Sequence, residues 1–521
     1  MAHELAESTH VYLLRKLALS CEVAAGRSPL ILVNPLPEAD RVIARYRVFT
    51  ASADFSLWFD DEPVAYSVVA QQRDYGGIWR KDESLHDEQK YYYLTEIEVM
   101  IDLPAFGYKV AEVVDGGEPI GRSLLAISPA AVIENEHYRV WVAEGEIHLF
   151  DRRLGKEFTN VLSFENDGDA GDNYDHCPPE QDWCLALDLA GAEVTVTELS
   201  HSATLSLKGE WRVPSSLAHR ARQEADKLLP FSLELTLKEG GDVIGLHVAV
   251  HNQSLNHRLR MLVNTQIASR FSRAGTQFYE VERETEPKEL AIWREQGFVE
   301  EPTTTEPLLN HVSLIGEQYY TSVFTHGCKE YQVVGEAFDR LAITLFRACG
   351  HFGLPDLSRR PGRASGLAEK LIPTPDSQLQ KSLSFDLALH FGQHYQANRI
   401  RQRYVKFAAL NPYYHEQSLS RTGEFNISYF HTNPLGFKVP NQYSLGELKG
   451  SEAVFSTLLK GPDGGYLLRL CNCEERAIQP GELCSAEGIG MKAMANLLGH
   501  ELTEARMDSL SAGQLGTYIL G

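Results

Sequence analysis

The sequence has few of the signatures that mark an enzyme's chemistry. Its 521 residues contain no H-E-x-x-H pair, no G-x-S-x-G elbow and no glycine-rich loop between a strand and a helix. These absences exclude a zincin site, an α/β-hydrolase nucleophile, a P-loop and a Rossmann fingerprint. Basic charge is also scarce: 49 Lys and Arg stand against 71 Asp and Glu, a formal net charge of −22. A balance of that sign leaves no footprint for nucleic acid or an anionic membrane. No apolar run is long enough to span a bilayer. The opening MAHELAESTHVYLLRKLALS carries acids where a secretory leader needs bases. The eight cysteines form no C-x-x-C pair and read as reduced thiols of a cytoplasmic protein. Cys471 and Cys473 have no second pair nearby, so they make a poor zinc site.

What is present is mostly β pattern. A first helix is expected from Glu4 to Val23, where Val11, Leu14, Leu17, Ala18 and Cys21 approximate one stripe. Beyond Pro29, LILVNPL, RVIARYRVFT, VAYSVVAQQ and YYYLTEIEVMID are β-branched, aromatic and partly alternating. YRVWVAEGEIHLF predicts a hairpin turning at Glu144-Gly145. A long series of strands follows with no helices between them, which implies large antiparallel sheets packed face to face. A second helix is expected over Gln396–Leu410, ahead of Asn411-Pro412, and GPDGG predicts a late hairpin turn. The divisions are a helical segment at 1–25, a small β-domain at 26–122, a β-rich body at 123–400, a helix and irregular linker at 401–448, and a terminal β-sandwich at 449–521.

The densest chemistry lies in FENDGDAGDNYDHCPPEQDW, which holds Glu165, Asp167, Asp169, Asp172 and Asp175. An EF-hand loop fails there: Gly171 stands at the third ligand position and Pro178 where the closing glutamate belongs. Three readings stay open. One is a looser Ca²⁺ site. Another is half of a glycosidase acid pair, which needs two carboxylates roughly 5–10 Å apart. The third is a turn whose aspartates cap backbone N–H groups. His390 with His394, and His247 with His251, read as strand packing rather than ligands. Arginines in NHRLR and RRPGRASG, and the polar loop PTPDSQLQ, suit hydrogen bonds to sugar hydroxyls and equally suit interdomain ion pairs.

Taken in order, FENDGDAGDNYDHCPP, NHRLRMLVNT, LAITLFRACG, RRPGRASG, PTPDSQLQ and LLRLCN resemble the C-terminal half of glycoside hydrolase family 38, the α-mannosidases. Within it they most resemble the bacterial mannosylglycerate hydrolases. Asn256 replaces the family's usual aspartate, and His176 with Cys177 stand where relatives often carry Tyr and Ser. The resemblance implies a mainly β fold. A galactose-mutarotase-like antiparallel supersandwich at 123–400 is flanked by smaller β-sandwiches, and the first helix is the remnant of a helix bundle. It implies a retaining α-mannosidase whose nucleophile and zinc lie in an N-terminal α/β domain that this sequence does not contain. No catalytic residue and no metal ligand is then expected in this chain, and no cofactor bound by it. The chain would complete the pocket for an α-mannoside such as mannosylglycerate and hold the catalytic domain or subunit, with homo-oligomerisation left open. By resemblance Arg347, Asp169, Asp172 and Tyr174 are substrate-rim candidates. Arg258, Arg260, Arg363, Asp376 and Gln378 are candidates for interdomain or sugar contacts. The alternatives are a stand-alone carbohydrate-binding or scaffold protein, and a mutarotase-like sugar epimerase.

Overall fold

The computed structural model describes residues 2–362, 370–416, 433–503 and 505–521. It divides into two compact units. One comprises Ile127–Thr197 with Ala203–Phe407, the other Met1–Ala126, Glu198–Ser202 and Ala408–Gly521. The fold is mainly β, as the strand patterns predict.

Period-two alternation builds the first of these units. In the strand Lys227–Lys238, Leu229, Phe231, Leu233, Leu235 and Leu237 are buried, and the residues between them face outward. This strand sits in a ten-stranded sheet beside Ile244–His251, which pairs with Ser382–Gly392, which pairs in turn with Tyr320–His326; each pairing is antiparallel. A six-stranded antiparallel sheet runs in the order Leu185–Leu187, Leu162–Gly168, His257–Asn264, Arg340–Ala348, Glu330–Val334 and Thr305–Pro307. Side chains of both sheets meet in one core: Leu259, Met261 and Ile343 from the second, and Leu235, Val248 and Leu389 from the first. Phe158 and Phe391 tilt together in that core with ring centroids 4.6 Å apart. The expected hairpin forms from Tyr138–Ala143 and Glu146–Asp151, with Glu144 and Gly145 both at positive φ. The expected second helix runs over Ala397–Ala408.

In the other unit, strands Arg27–Asn34, Phe55–Phe59 and Gly107–Asp115 share a core with Asp40–Thr50, Ser67–Tyr75 and Tyr91–Leu103. A four-stranded sheet near the C-terminus joins Val454–Lys460, Tyr466–Cys471, Leu515–Leu520 and Met491–Ala495. The first helix spans Ala2–Ala18, shorter than the predicted range, and Cys21 bridges to Val439 instead of continuing it. Its two ends differ. Leu14, Leu17 and Ala18 pack with Ile31, Val110 and Val439, while Leu5, Val11, Tyr12 and Leu13 are exposed.

Two phenylalanines test this layering. Phe391→Ala should cost about 3–5 kcal/mol of unfolding free energy, because it empties a packed site. Phe271→Ala, at an exposed ring, should cost less than about 1 kcal/mol. Urea titration measures both, and equal losses would contradict the assigned core.

Candidate functional site

The acidic stretch begins as a strand rather than a loop. In Leu162–Gly168, Phe164 points into the core, while Glu165 and Asp167 fall on the opposite face. The adjacent strand His257–Asn264 is buried along nearly its whole length. Leu259, Met261 and Val263 turn to the core, and Arg258 and Arg260 turn the other way. The pairing register sets Asp167 opposite Arg258 and Glu165 opposite Arg260. Arg258 then donates from Nε to Asp167 Oδ1 at 3.1 Å, and Arg260 forms an ion pair with Glu165.

The register carries the pattern one strand further, with Arg258 opposite Arg347. Arg347 reaches beyond the strand end and donates from Nε to Asp169 Oδ2 at 2.8 Å. Its Nη2 donates to the Asp172 carbonyl oxygen, also at 2.8 Å. The other Asp169 oxygen accepts from the Gly171 N–H at 2.9 Å and the Cys177 N–H at 3.4 Å. Asp172 Oδ1 accepts from the N–H groups of Tyr174 at 2.9 Å and Asp175 at 3.0 Å. Its Oδ2 accepts from the Leu354 N–H at 2.6 Å and from Arg360. Arg360 also pairs with Asp175. A Cβ at Gly171 would collide with the Asp175 carbonyl oxygen, so this tight turn requires glycine.

Glu165, Asp167, Asp169, Asp172 and Asp175 therefore each have an arginine, and Asp169 and Asp172 also cap backbone N–H groups. Burial opposes the Asp167 charge, but the Arg258 hydrogen bonds outweigh it and the pKa falls below the ordinary aspartate value. Asp172 is likewise lowered, as its N–H donors and Arg360 overcome burial. For Asp169 burial is the stronger effect and raises the pKa despite Arg347. His176 lies 3.7 Å from Asp167 and donates from Nε2 to the Gly168 carbonyl oxygen at 3.0 Å. Burial and the Arg258 charge hold its pKa down to about 3, against the pull of Asp167, so it is neutral at pH 7.

The other candidates fall at or beside this lattice. Tyr174 is half exposed and packs on Phe352 at 5.0 Å. Gln378 is buried and clamps Asn256: its Oε1 accepts from the Asn256 N–H at 2.9 Å, and its Nε2 donates to Asn256 Oδ1 at 2.7 Å. Asn256 has φ of 52°, a turn conformation that Asn tolerates well. Asp376 is exposed in the short turn Pro375–Gln378. Arg363 lies outside the described residues. Three participants were not picked out from the sequence. Arg360 completes the Asp172 pairing. Arg220, buried, donates from Nη1 to the Trp183 carbonyl oxygen at 2.6 Å, and its Nη2 bonds Asn166 Oδ1. His257, also buried, lies 2.7 Å from Asn166 Nδ2 and 2.9 Å from Asn252 Oδ1. The sequence marked Arg360 only as one arginine of RRPGRASG and His257 only as part of NHRLR, and nothing in it set Arg220 apart.

His176 gives the site an acid sensitivity of definite sign. An unfolded histidine takes a proton near pH 6.5, and the folded one refuses it down to about pH 3. Stability is therefore lost as pH falls below 6.5, by roughly 2 kcal/mol at pH 5 for this residue. His257, with a pKa of about 3, and His390, at about 4, act in the same direction. In His176→Gln the drop in urea midpoint between pH 7 and pH 5 should shrink, and an unchanged drop would exclude His176 as a contributor.

Residues 133–358 match the model of the glycosyl hydrolases family 38 C-terminal domain. A curated protein of Halalkalibacterium halodurans, named "Putative mannosylglycerate hydrolase", is 24% identical over 316 residues, which is 55% of this chain and 34% of the relative. An α-mannosidase structure from Enterococcus faecalis V583 superposes with a TM-score of 0.77 at 18% identity, covering 99% of this chain and 58% of that one. A second E. faecalis structure, titled as a protein in glycosyl hydrolase family 38, gives 0.74 at 17% identity, covering 99% of this chain and 61% of that one. The chain thus spans about three fifths of these structures and one third of the curated relative. Residues 133–358, which hold most of the paired acids and arginines, are thus similar to the glycosyl hydrolases family 38 C-terminal domain.

Proposed function

We propose that this chain forms the β-rich portion of an α-mannoside-cleaving glycoside hydrolase and cleaves no bond by itself. The observation that carries this reading is the saturation of the signature stretch. Asp167, Asp169 and Asp172 are buried and held by Arg258, Arg347 and Arg360, so these three acids offer no free acid and base pair to a glycosidic oxygen. The family match over residues 133–358 and the greater length of the relatives support placing cleavage in polypeptide outside this sequence.

Zinc belongs to that outside region. Among the described residues no group of three His, Cys, Asp or Glu is arranged to hold a metal ion, so no step is assigned to a metal on this chain. In this reading Arg347 and the 169–177 turn form a rigid edge of the complete pocket, and its substrate is an α-mannoside such as mannosylglycerate. The exposed apolar side chains of the first helix, Leu5, Val11 and Leu13, support a partner region there. Among the described residues no helix is long and apolar enough to cross a membrane. A cytoplasmic setting is part of the proposal, in keeping with eight free cysteines.

An aryl α-mannoside assayed with zinc tests this. The purified chain should give no turnover. Addition of the α/β region of a longer relative should restore it. In that complemented enzyme Asp172→Ala should lower kcat/KM at least about tenfold with zinc content unchanged, since it removes the acceptor for four donors. Turnover by the chain alone would defeat the reading.

A further inference from the structure

The strands Ser67–Tyr75 and Tyr91–Leu103 form an antiparallel pair that closes with Tyr75 opposite Tyr91. Joining two such strands takes about two to five residues. Here residues 76–90 intervene, and they are folded into a definite shape. Two short 3₁₀ turns, Glu83–Leu85 and Glu88–Lys90, are capped by Asp82 and Asp87, whose side chains accept from the N–H groups of Ser84 and Gln89, each at 3.0 Å. The Gly76 N–H donates to the Lys90 carbonyl oxygen at 2.9 Å, and the Asp87 N–H to the Tyr75 hydroxyl at 3.2 Å. A Cβ at Gly77 would collide with that hydroxyl.

The insert is built around aromatic rings. His86 stacks on the buried Tyr75, with centroids 4.0 Å apart and planes 4° apart. Its Nδ1 lies 2.9 Å from the Tyr91 hydroxyl, and its Nε2 accepts from the Arg80 N–H at 3.3 Å. Trp79 stands across this pair, at 82° to Tyr75 and 86° to His86, with centroids 5.7 and 5.3 Å away. The indole is thus braced by two rings and yet 66% exposed. Such a side chain has little rotamer freedom left to lose, so a guest that packs on it meets a smaller entropy cost.

The rim decides the kind of guest. Arg80, Lys81, Asp82 and Glu83 follow the indole directly, all exposed, two of each sign. An inorganic ion finds no excess of opposite charge there, and no group of metal ligands occurs among the described residues. A quaternary ammonium needs several aromatic faces around it, and here Tyr75 is buried against His86. A stable protein partner covers about 800 Å² on each side, more than the apolar side chains of one loop supply. A sugar ring matches what is present. Its C–H face lies flat on an indole, while its hydroxyls donate to acids and accept from bases.

We propose that Trp79 is the stacking platform of a binding site for neutral glycans, carried by the 76–90 loop. No bond is made or broken there. The first probe is chosen from the proposed enzyme class. Binding is read on this chain alone and hydrolysis on the complemented enzyme, so either idea can fail without the other.

Affinity electrophoresis of the full chain in gels holding yeast α-mannan, dextran or heparin tests this. Saturable retardation by mannan or dextran, and none by heparin, is expected. Trp79→Ala should weaken it by about tenfold or more at an unchanged unfolding midpoint, and Trp79→Phe should keep part of it. In the parent chain N-bromosuccinimide should oxidise Trp79, and bound glycan should protect it, as read by peptide mass spectrometry; this measurement decides the matter if the alanine variant misfolds. The proposal is overturned if neither neutral glycan binds, if heparin alone binds, if folded Trp79→Ala binds as tightly as the parent, or if glycan leaves Trp79 unprotected. A dimer in sedimentation velocity that is lost in Trp79→Ala would also overturn it, in favour of contact between two copies.

Discussion

An aspartate can stay charged inside a protein only where other donors replace its water, and the paired acids and arginines on the outer face of the six-stranded sheet meet that condition. Asp169 and Asp172 are almost completely buried, yet each of their four carboxylate oxygens accepts at least one hydrogen bond. Removing one partner of such a pair costs about 3–5 kcal/mol, because a buried charge is left behind. Replacing both with apolar groups costs far less. The pairs therefore contribute more to choosing one arrangement than to overall stability. A one-residue slip of Leu162–Gly168 against His257–Asn264 would set Asp167 against His257 or Leu259 and turn its charge toward the core. The same slip would carry the 169–177 turn away from Arg347 and Arg360.

The β architecture was legible in the sequence because its signal is local. Leu229, Phe231, Leu233, Leu235 and Leu237 alternate within one strand, and Glu144-Gly145 marks its hairpin without reference to anything distant. The two expected helices were equally plain, apart from their ends, whereas the short helices Leu217–Ala221 and Glu289–Ile292 interrupt a strand series expected to hold none. At the first one, tertiary pairing of Cys21 with Val439 takes over where the stripe alone would have continued. The acidic stretch was harder because its meaning lies far away in the chain. Arg258 is 91 residues from Asp167, Arg347 is 178 from Asp169, and Arg360 is 188 from Asp172. Spacing could reject an EF-hand, but it could not distinguish a capped turn from an ion-paired one, and the structure contains both. Composition did carry part of the answer, since NHRLR and RRPGRASG were the basic clusters available. Choosing Arg360 among those arginines required the fold.

Buried polar groups on both sides of the strand Leu162–Gly168 extend this rigidity. On one side Glu165 and Asp167 meet arginines. On the other, Asn166 links Arg220 and His257, and Asn252 connects His257 to the Gln378 carbonyl oxygen at 2.9 Å. Gln378 then fixes Asn256, whose backbone enters the strand that bears Arg258 and Arg260. The polar loop at Pro373–Gln380, read from sequence as a stiff element that could bond a ligand, here makes its firmest bonds within the protein. Networks of this kind hold side chains in one geometry, and partial satisfaction is their weak point.

That weak point separates the chemistry available to each face of the turn. Where each carboxylate is held by an arginine, as from Asp167 to Asp172, neither proton transfer nor metal binding has a free carboxylate to use. What remains is shape and a fixed distribution of charge, which suits an edge against which another region or a substrate is positioned. Matching is incomplete at buried atoms of the same lattice, Arg258 Nη1, Arg260 Nε and Arg360 Nε, which have no hydrogen-bond partner among the described residues. Arg360 belongs to both settings: its terminal nitrogens hold the turn while its Nε remains unmatched.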